Sequence, residues 1–172
     1  MRFTLRNVSS DKLETGLYML KEAALWLNEQ GIDYWQDWVD PPENFVDWIR
    51  QGFDNNEFYF IYDESNKIAG MFRLQFEDEM FWGKYIEQTG NHARAGYIHS
   101  FTVSRKLKGR NIGYSILSMI EQILLEKDIH LMRLDCSGEG LCKYYEDYGF
   151  EPKETVTVIG EKLQLYEKNC ES

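Results

Sequence analysis

The stretch from Tyr97 to Leu117 constrains the fold more than any other part of this chain. Its first half alternates between two faces, the period of a strand, and one face carries Tyr97, His99, Phe101 and Val103. From Ile112 onward, apolar residues recur at helical spacing and predict a helix to about Glu126. The loop between them, residues 104–113, is rich in Lys and Arg and contains two glycines. Because a cationic loop that leads into a helix N-terminus attracts anions, this stretch predicts a site for a phosphate-bearing ligand.

Two well-known phosphate loops do not fit this segment. The Walker pattern requires Gly, four residues, then Gly-Lys followed by Ser or Thr, and the dinucleotide pattern requires three glycines in GxGxxG. Only Gly109 and Gly113 are present in the loop. A solvated basic turn before an ordinary helix remains the alternative interpretation.

The same stretch resembles motif A of the GCN5-related N-acetyltransferase (GNAT) superfamily, in which a strand runs into Arg/Gln-x-x-Gly-x-Gly/Ala at the start of a helix. Phe101-Thr102-Val103 matches the end of the strand. The loop positions match Lys108, Gly109, Arg110, Asn111, Ile112 and Gly113. Lys108 stands where the family has Arg or Gln, and Asn111 stands where it has the central Gly. Asn tolerates a left-handed backbone better than most residues, so we expect the loop geometry to be kept.

A second segment, about 30 residues further along, resembles motif B of the same superfamily. That motif is a strand and a short helix that ends in aromatic-Tyr-x-x-x-Gly-Phe. Here the corresponding residues run from Tyr144 to Phe150. Where many members carry an Asn before this helix, the chain has Gly138-Glu139-Gly140. The two motifs occur in the order that the family shows, and the resemblance covers about Arg2 to Leu165.

The resemblance implies an α/β fold with a mixed, mostly antiparallel sheet of six to seven strands, splayed at the central strand, with helices on both faces. It also implies that acetyl-CoA is the cosubstrate. The residues expected to bind it are Phe101, Thr102, Val103, Lys108, Gly109, Arg110, Asn111, Ile112, Gly113 and Tyr114. Arg105 or Lys106 is expected to reach the ribose phosphate.

Three residues are the catalytic candidates. Tyr145 falls where many members place the Tyr that protonates the coenzyme A sulfur; its alternative is a core aromatic role, although Tyr144 is the better core candidate of the pair. His99 lies on the central strand, where some arylalkylamine acetyltransferases carry a His base, and its alternative is a hydrogen-bonded core histidine. Glu77, at the end of the preceding strand, is the first choice among acids that could act as base or hold a cationic substrate.

The remaining patterns predict the order β-α-α-β-β-β-α-β-α-β-β within one domain, residues 1–172. Residues 79–94, with Gly90 close to their end, are expected to form a long polar connection before the central strand, either a loop throughout or a loop with a short helical turn. Aromatic residues such as Trp35, Trp38 and Trp82 either wall a pocket for a cationic amine or pack onto the core.

The net charge of −10 disfavours nucleic acid and anionic membranes as partners and favours cationic ones. Three cysteines without metal-ligand spacing, and a start of the chain without an apolar signal region, predict reduced thiols in a cytoplasmic protein. The three histidines do not pair with them at recognised spacings, so no metal is expected.

Together these observations predict an N-acetyltransferase that moves an acetyl group from acetyl-CoA to a primary amine by direct attack in a ternary complex. The acidity and the aromatic residues favour a small cationic or aromatic amine. The alternatives are acetylation of a protein lysine or N-terminus, and a non-catalytic acyl-CoA-binding module. A homodimer is left open.

Overall fold

The computed structural model describes residues 2–107, 109 and 111–171. It contains five α-helices and seven strands within these residues. The helices are α1 Leu13–Glu29, α2 Glu43–Asp54, α3 Glu79–Thr89, α4 Ile112–Glu126 and α5 Glu139–Tyr148. The strands are β1 Thr4–Asn7, β2 Phe58–Tyr62, β3 Ile68–Gln75, β4 Gly96–Val103, β5 Leu131–Cys136, β6 Glu151–Val158 and β7 Glu161–Asn169.

The seven strands form one mixed sheet in the order β1-β2-β3-β4-β5-β7-β6. The pairs β1–β2, β2–β3, β5–β7 and β6–β7 are antiparallel. β4 runs parallel to β5, with Gly96 opposite Met132 and Tyr97 opposite Arg133. The predicted fold class, a mostly antiparallel mixed α/β sheet of six to seven strands, is therefore confirmed.

The chain divides into two compact units, each built from two separate segments. The first unit comprises residues 1–73 and 100–112, and the second comprises residues 74–99 and 113–172. β3, β4 and α4 each contribute residues to both units. The prediction of a single domain over residues 1–172 stays a prediction.

The core of the first unit forms where α1 and α2 pack on β2 and β3. Its buried members are Val8, Leu20, Ile49, Phe53, Phe58, Phe60 and Met71. Phe53 stacks on Phe58 with their ring centroids 4.2 Å apart. Trp35, Trp38 and Trp48 pack against this core as partly buried residues, which is the packing role that the sequence left open for them.

The core of the second unit includes Trp82, Ala95, Tyr97 and Leu165. Trp82 is fully buried, so it belongs to the core and does not wall an open pocket. The guanidinium of Arg133, also fully buried, donates to Glu167 at 2.8 Å and to the Tyr97 hydroxyl at 2.9 Å. These bonds offset part of the cost of burying the charge, while Nη2 of Arg133 has no hydrogen-bond partner among the described residues.

The predicted polar connection between residues 79 and 94 is wrong, because Glu79–Thr89 forms the helix α3. Asp78 caps its first turn by accepting a hydrogen bond from the Phe81 N–H at 3.0 Å. Gly90 ends the helix in the left-handed conformation, with φ of 68°. In the described part of the chain, no helix has the length and apolar character needed to cross a membrane.

Candidate functional site

The basic loop in the first unit has the backbone that the sequence predicted. After β4 the chain makes a 3₁₀ turn, Arg105–Leu107, and α4 begins at Ile112. Gly109 and Asn111 both have left-handed backbones, with φ of 80° and 51°. Asn111 thus has the left-handed backbone that Asn tolerates better than most residues. The predicted Lys108 and Arg110 lie outside the described residues.

The start of this loop is anchored within the first unit. The Ser104 N–H donates to the Ala69 carbonyl at 2.7 Å, and the Leu107 N–H donates to the Ser104 carbonyl at 3.0 Å. The guanidinium of Arg105 lies over the Trp26 ring, 3.6 Å from its centroid. Partial burial of this group lowers the pKa of the Arg105 guanidinium. Arg105 and Lys106 are both exposed residues, but the Arg105 guanidinium is engaged by an aromatic ring.

The central strand β4 does not alternate throughout as its sequence predicts. Ser100 has a left-handed backbone, with φ of 52°, and this interrupts the pleat between His99 and Phe101. Phe101 and Val103 are half-buried, and Thr102 is buried. β3 approaches this end of β4 so closely that a Cβ on Gly70 would lie 2.4 Å from the Thr102 carbonyl oxygen.

The second unit holds a buried cluster of acids around His99. His99 is only 7% exposed. Its Nε2 lies 2.8 Å from Asp78 Oδ2, and its Nδ1 lies 3.6 Å from Asp135 Oδ1. The Phe81 ring packs 4.8 Å from the imidazole. The cluster therefore joins β4, β5 and the start of α3. Each of the two ring nitrogens of His99 faces one carboxyl group, Nε2 that of Asp78 and Nδ1 that of Asp135.

The pKa of the Asp135 carboxyl is raised. Burial raises the pKa of its carboxyl to about 6, with further raising by the charges of Asp78 and Glu161 and an opposing effect from His99. Its Oδ1 has no hydrogen-bond partner among residues 2–107, 109 and 111–171. A buried carboxyl with a pKa close to neutrality can exchange protons with a neighbouring imidazole.

Asp78 and Asp135 were missed by the sequence analysis. Asp78 follows the predicted Glu77 directly, and Glu77 itself is exposed. The signal for Asp78 was an N-cap residue before aromatic residues at helical spacing, Phe81, Trp82 and Tyr85. Asp135 gave the weaker signal of one acid in an otherwise apolar strand end.

Tyr145 lies in α5 of the second unit and is buried, whereas Tyr144 is half-buried. The prediction that Tyr144 would be the core residue of the pair is wrong, because Tyr145 packs edge-on against Phe150 beyond the end of the helix, with ring centroids 5.6 Å apart. Burial raises the pKa of Tyr144 to about 12. The hydroxyl of the predicted cofactor residue Tyr114 donates to the Tyr144 carbonyl at 3.1 Å.

Contacts with β5 and β7 hold α5 in place. The Cys142 Sγ lies 3.2 Å from the Cys136 Sγ, and the Tyr166 hydroxyl donates to Glu146 at 2.7 Å. Two further predicted cofactor residues, Ile112 and Gly113, are buried at the start of α4. Among the described residues, no group of three or more His, Cys, Asp and Glu side chains is arranged to hold a metal ion.

Comparison with known proteins adds to this geometry. Residues 20–150 match the family model described as "Acetyltransferase (GNAT) family". A Bacillus subtilis protein described as an uncharacterized N-acetyltransferase, YesJ, is 23% identical over 141 residues, which cover 80% of this chain and 74% of that protein.

Two solved structures are similar in fold. A GNAT-family acetyltransferase from Listeria monocytogenes superposes with a TM-score of 0.78 at 24% identity, over 97% of this chain and 94% of that one. A Drosophila melanogaster polyamine N-acetyltransferase, described as forming N-acetylagmatine, superposes with a TM-score of 0.66 at 12% identity, over 98% and 100% of the two chains.

Proposed function

Because the chain belongs to the acetyltransferase (GNAT) family of acyl-CoA-dependent N-acetyltransferases, we propose that it acetylates a small cationic or aromatic primary amine with acetyl-CoA. The observation that carries the proposal is the buried His99 between Asp78 and Asp135. An amine acceptor is a protonated ammonium at neutral pH, and it must lose a proton before its nitrogen can attack a thioester. A buried imidazole flanked by acids is suited to accept that proton.

On the donor side, the left-handed Gly109 and Asn111 support the binding of a pyrophosphate at the start of α4. In this proposal the backbone N–H groups of residues 108–113 hold the phosphates, and the helix dipole favours their charge. The β4 backbone at Phe101 and Val103 binds the pantetheine arm, as the family resemblance implies. Lys106, which is exposed, is the better candidate for the ribose phosphate, since Arg105 packs on Trp26.

On the acceptor side, His99 acts as the general base and Tyr145 as the acid that protonates the departing thiolate. Glu77, exposed two residues after the end of β3, holds the charge of a cationic acceptor. The net charge of −10 favours such an acceptor over an anionic one. The similar fold of an enzyme described as a polyamine N-acetyltransferase supports the same class of substrate.

Calorimetric titration with acetyl-CoA tests the donor site first. We expect binding in the micromolar range that Lys108→Glu weakens at least tenfold, about 1.4 kcal/mol. Lys67→Glu, the same charge reversal in the β2–β3 turn of the same unit, is the matched control and should change the affinity less than twofold. If the wild-type protein does not bind acetyl-CoA, the proposal is wrong.

Turnover on a panel of amines completes the test. Release of coenzyme A should be fastest with small diamines or arylalkylamines, and Tyr145→Phe should lower kcat at least tenfold with an unchanged acetyl-CoA affinity. Binding without turnover on any amine would instead favour a non-catalytic acyl-CoA-binding module. Turnover restricted to peptides would favour a protein lysine or N-terminal acetyltransferase.

A further inference from the structure

We propose that Asp78 and Asp135 are positioning residues that act through His99. In this inference, which rests on the proposed function, Asp78 fixes the proton of His99 on Nε2, so that Nδ1 is the basic nitrogen. Asp135 then stabilises the imidazolium that forms when Nδ1 takes a proton from the acceptor. The two carboxylates thereby set which nitrogen reacts and how strongly it binds a proton.

The first step of the argument is the double role of the Asp78 carboxylate. Its Oδ1 accepts the Phe81 N–H at 3.0 Å, and its Oδ2 lies 2.8 Å from His99 Nε2. A carboxylate only accepts hydrogen bonds, so a bond at this distance requires the proton on Nε2. Because the first turn of α3 holds Oδ1, the other oxygen stays aimed at the imidazole. The remaining lone pair of the ring is therefore on Nδ1.

The second step concerns the opposite side of the ring. Nδ1 lies 3.6 Å from Asp135 Oδ1, and this oxygen has no hydrogen-bond partner in the part of the chain that the structure describes. Asp78, His99 and Glu161 are the charged groups that act on Asp135. Two of these three are acids, so the cluster has negative charge in excess and favours an added proton. The raised pKa of the Asp135 carboxyl, which burial and the charges of Asp78 and Glu161 cause, fits this arrangement.

The proton balance of the step is simple. The ammonium N–H bond breaks as the Nδ1–H bond forms, and the amine lone pair attacks the thioester carbonyl. As the C–S bond breaks, the thiolate takes the proton of the Tyr145 hydroxyl. The attacking nitrogen then gives a second proton to the Tyr145 oxygen, which restores the hydroxyl. The proton on the His99–Asp135 pair then leaves to solvent, so one proton is released per acetyl group transferred.

The competing explanation is that the cluster is only an ionic link that holds β4, β5 and α3 together. In that case, substitution of either Asp would lower the stability of the protein. Any change in activity would then follow the loss of stability, and it would not be matched by a change in the tautomer or the titration of His99. The two explanations therefore differ in a property of the imidazole itself.

Asp78→Asn tests the first role. Asn is as good an N-cap as Asp, so α3 is retained. Its single carbonyl oxygen then accepts from the Phe81 N–H, and its NH₂ faces His99 Nε2. We expect nitrogen NMR of the imidazole to show the proton moved to Nδ1, and kcat/KM to fall at least 100-fold while the acetyl-CoA affinity changes less than twofold. Full activity with an unchanged tautomer would overturn the inference.

Asp135→Asn tests the second role. The titration midpoint of His99 should move to lower pH, and the acidic limb of the kcat/KM profile should move with it, while the plateau falls at least tenfold. Asp128→Asn is the control, because Asp128 forms an exposed 2.9 Å pair with His130 in the same unit. It should leave the profile unchanged. A fall in activity without any movement of the His99 titration would indicate a structural role only.

The NMR measurements need no substrate, so failure of this inference and failure of the proposed function are distinguishable. If amines are acetylated and His99 keeps its tautomer in Asp78→Asn, the function stands and the inference fails. If His99 behaves as expected but no amine is acetylated, the proposed function fails, and the catalytic role of the two acids fails with it.

Discussion

A carboxyl group that is almost fully buried beside other acids costs folding free energy whenever it is ionised. Asp135 is in this position, with its pKa raised to about 6 from 3.8 chiefly by burial. A raised pKa means that the stability linked to the protonated form is fully present below pH 3.8 and is lost as the pH rises through about 6. The acid needed for the proposed proton transfer is thus a source of instability at neutral pH.

Asp135→Asn should therefore become more stable relative to wild type as the pH rises. Between pH 4 and pH 7, the difference in unfolding free energy should move in favour of the variant by about 2 kcal/mol, because this range covers most of the interval between the two pKa values. Urea unfolding at several pH values measures this. Asp128, whose pKa is lowered by the hydrogen bond from His130, is the control, since Asp128→Asn should show no such gain. A difference that stays constant with pH would contradict the prediction.

At this scale, the residues that sequence reasoning found and missed differ in one respect. His99 and Tyr145 are candidates from the sequence because each lies in a motif or on a strand to which the family resemblance assigns a role. Asp78 and Asp135 are 57 residues apart in the sequence, and only the fold brings both to His99. The sequence favours Glu77 as an acid because it assigns this residue to the end of β3, which the structure places at Gln75.

Among the elements, the close approach of β3 to β4 requires a glycine at position 70. A Cβ on Gly70 would lie 2.4 Å from the backbone oxygen of Thr102, and a backbone atom in a sheet cannot easily move. Gly140, in the first turn of α5, has no heavy atom within 4 Å of the equivalent position among those described. The two glycines thus offer opposite tests of the same substitution.

We expect Gly70→Ala to lower the unfolding free energy by roughly 1–3 kcal/mol, since it overpacks the contact between two strands. Gly140→Ala should raise it by about 0.5–1 kcal/mol, because Ala is the better helix former and meets no steric obstacle. Urea midpoints of the two variants and the wild type measure both effects. Equal stability of Gly70→Ala and wild type would show that β3 and β4 can separate at no cost.

Most elements could be predicted from periodicity and turn signals, and α3 could not. Its polar residues and Gly83 and Gly90 weakened the helical pattern, whereas in the folded protein the burial of Trp82 stabilises the helix. The left-handed backbone of Ser100 could not be predicted either, because a serine does not require that conformation. Tertiary packing decides both features, and local sequence does not encode it.

For the whole molecule, the periodicity of apolar residues could not predict the order of the strands in the sheet. Alternation shows that a segment is a strand, but it does not show which strand lies next to it. The order β1-β2-β3-β4-β5-β7-β6 puts β6 at an edge, and the last strand of the chain, β7, lies between β5 and β6. The resemblance of two motifs to one family predicted a mixed, mostly antiparallel sheet, and the family match over residues 20–150 confirms that resemblance.

The division of the chain into two units distributes its spectroscopic probes unevenly. Four of the five tryptophans, Trp26, Trp35, Trp38 and Trp48, belong to the first unit, and all three histidines, His92, His99 and His130, belong to the second. Indole emission therefore reports mainly on one unit, and the imidazole proton resonances report only on the other. No label or substitution is needed to follow the two separately.

Since β3, β4 and α4 contribute residues to both units, we expect both signals to change at the same urea concentration, as two-state unfolding of a single domain requires. Emission that shifts before the imidazole resonances do would mean that the first unit opens alone. Because the tryptophans and histidines are placed in this way, one urea series that follows both signals shows whether the protein unfolds as one cooperative unit or as two.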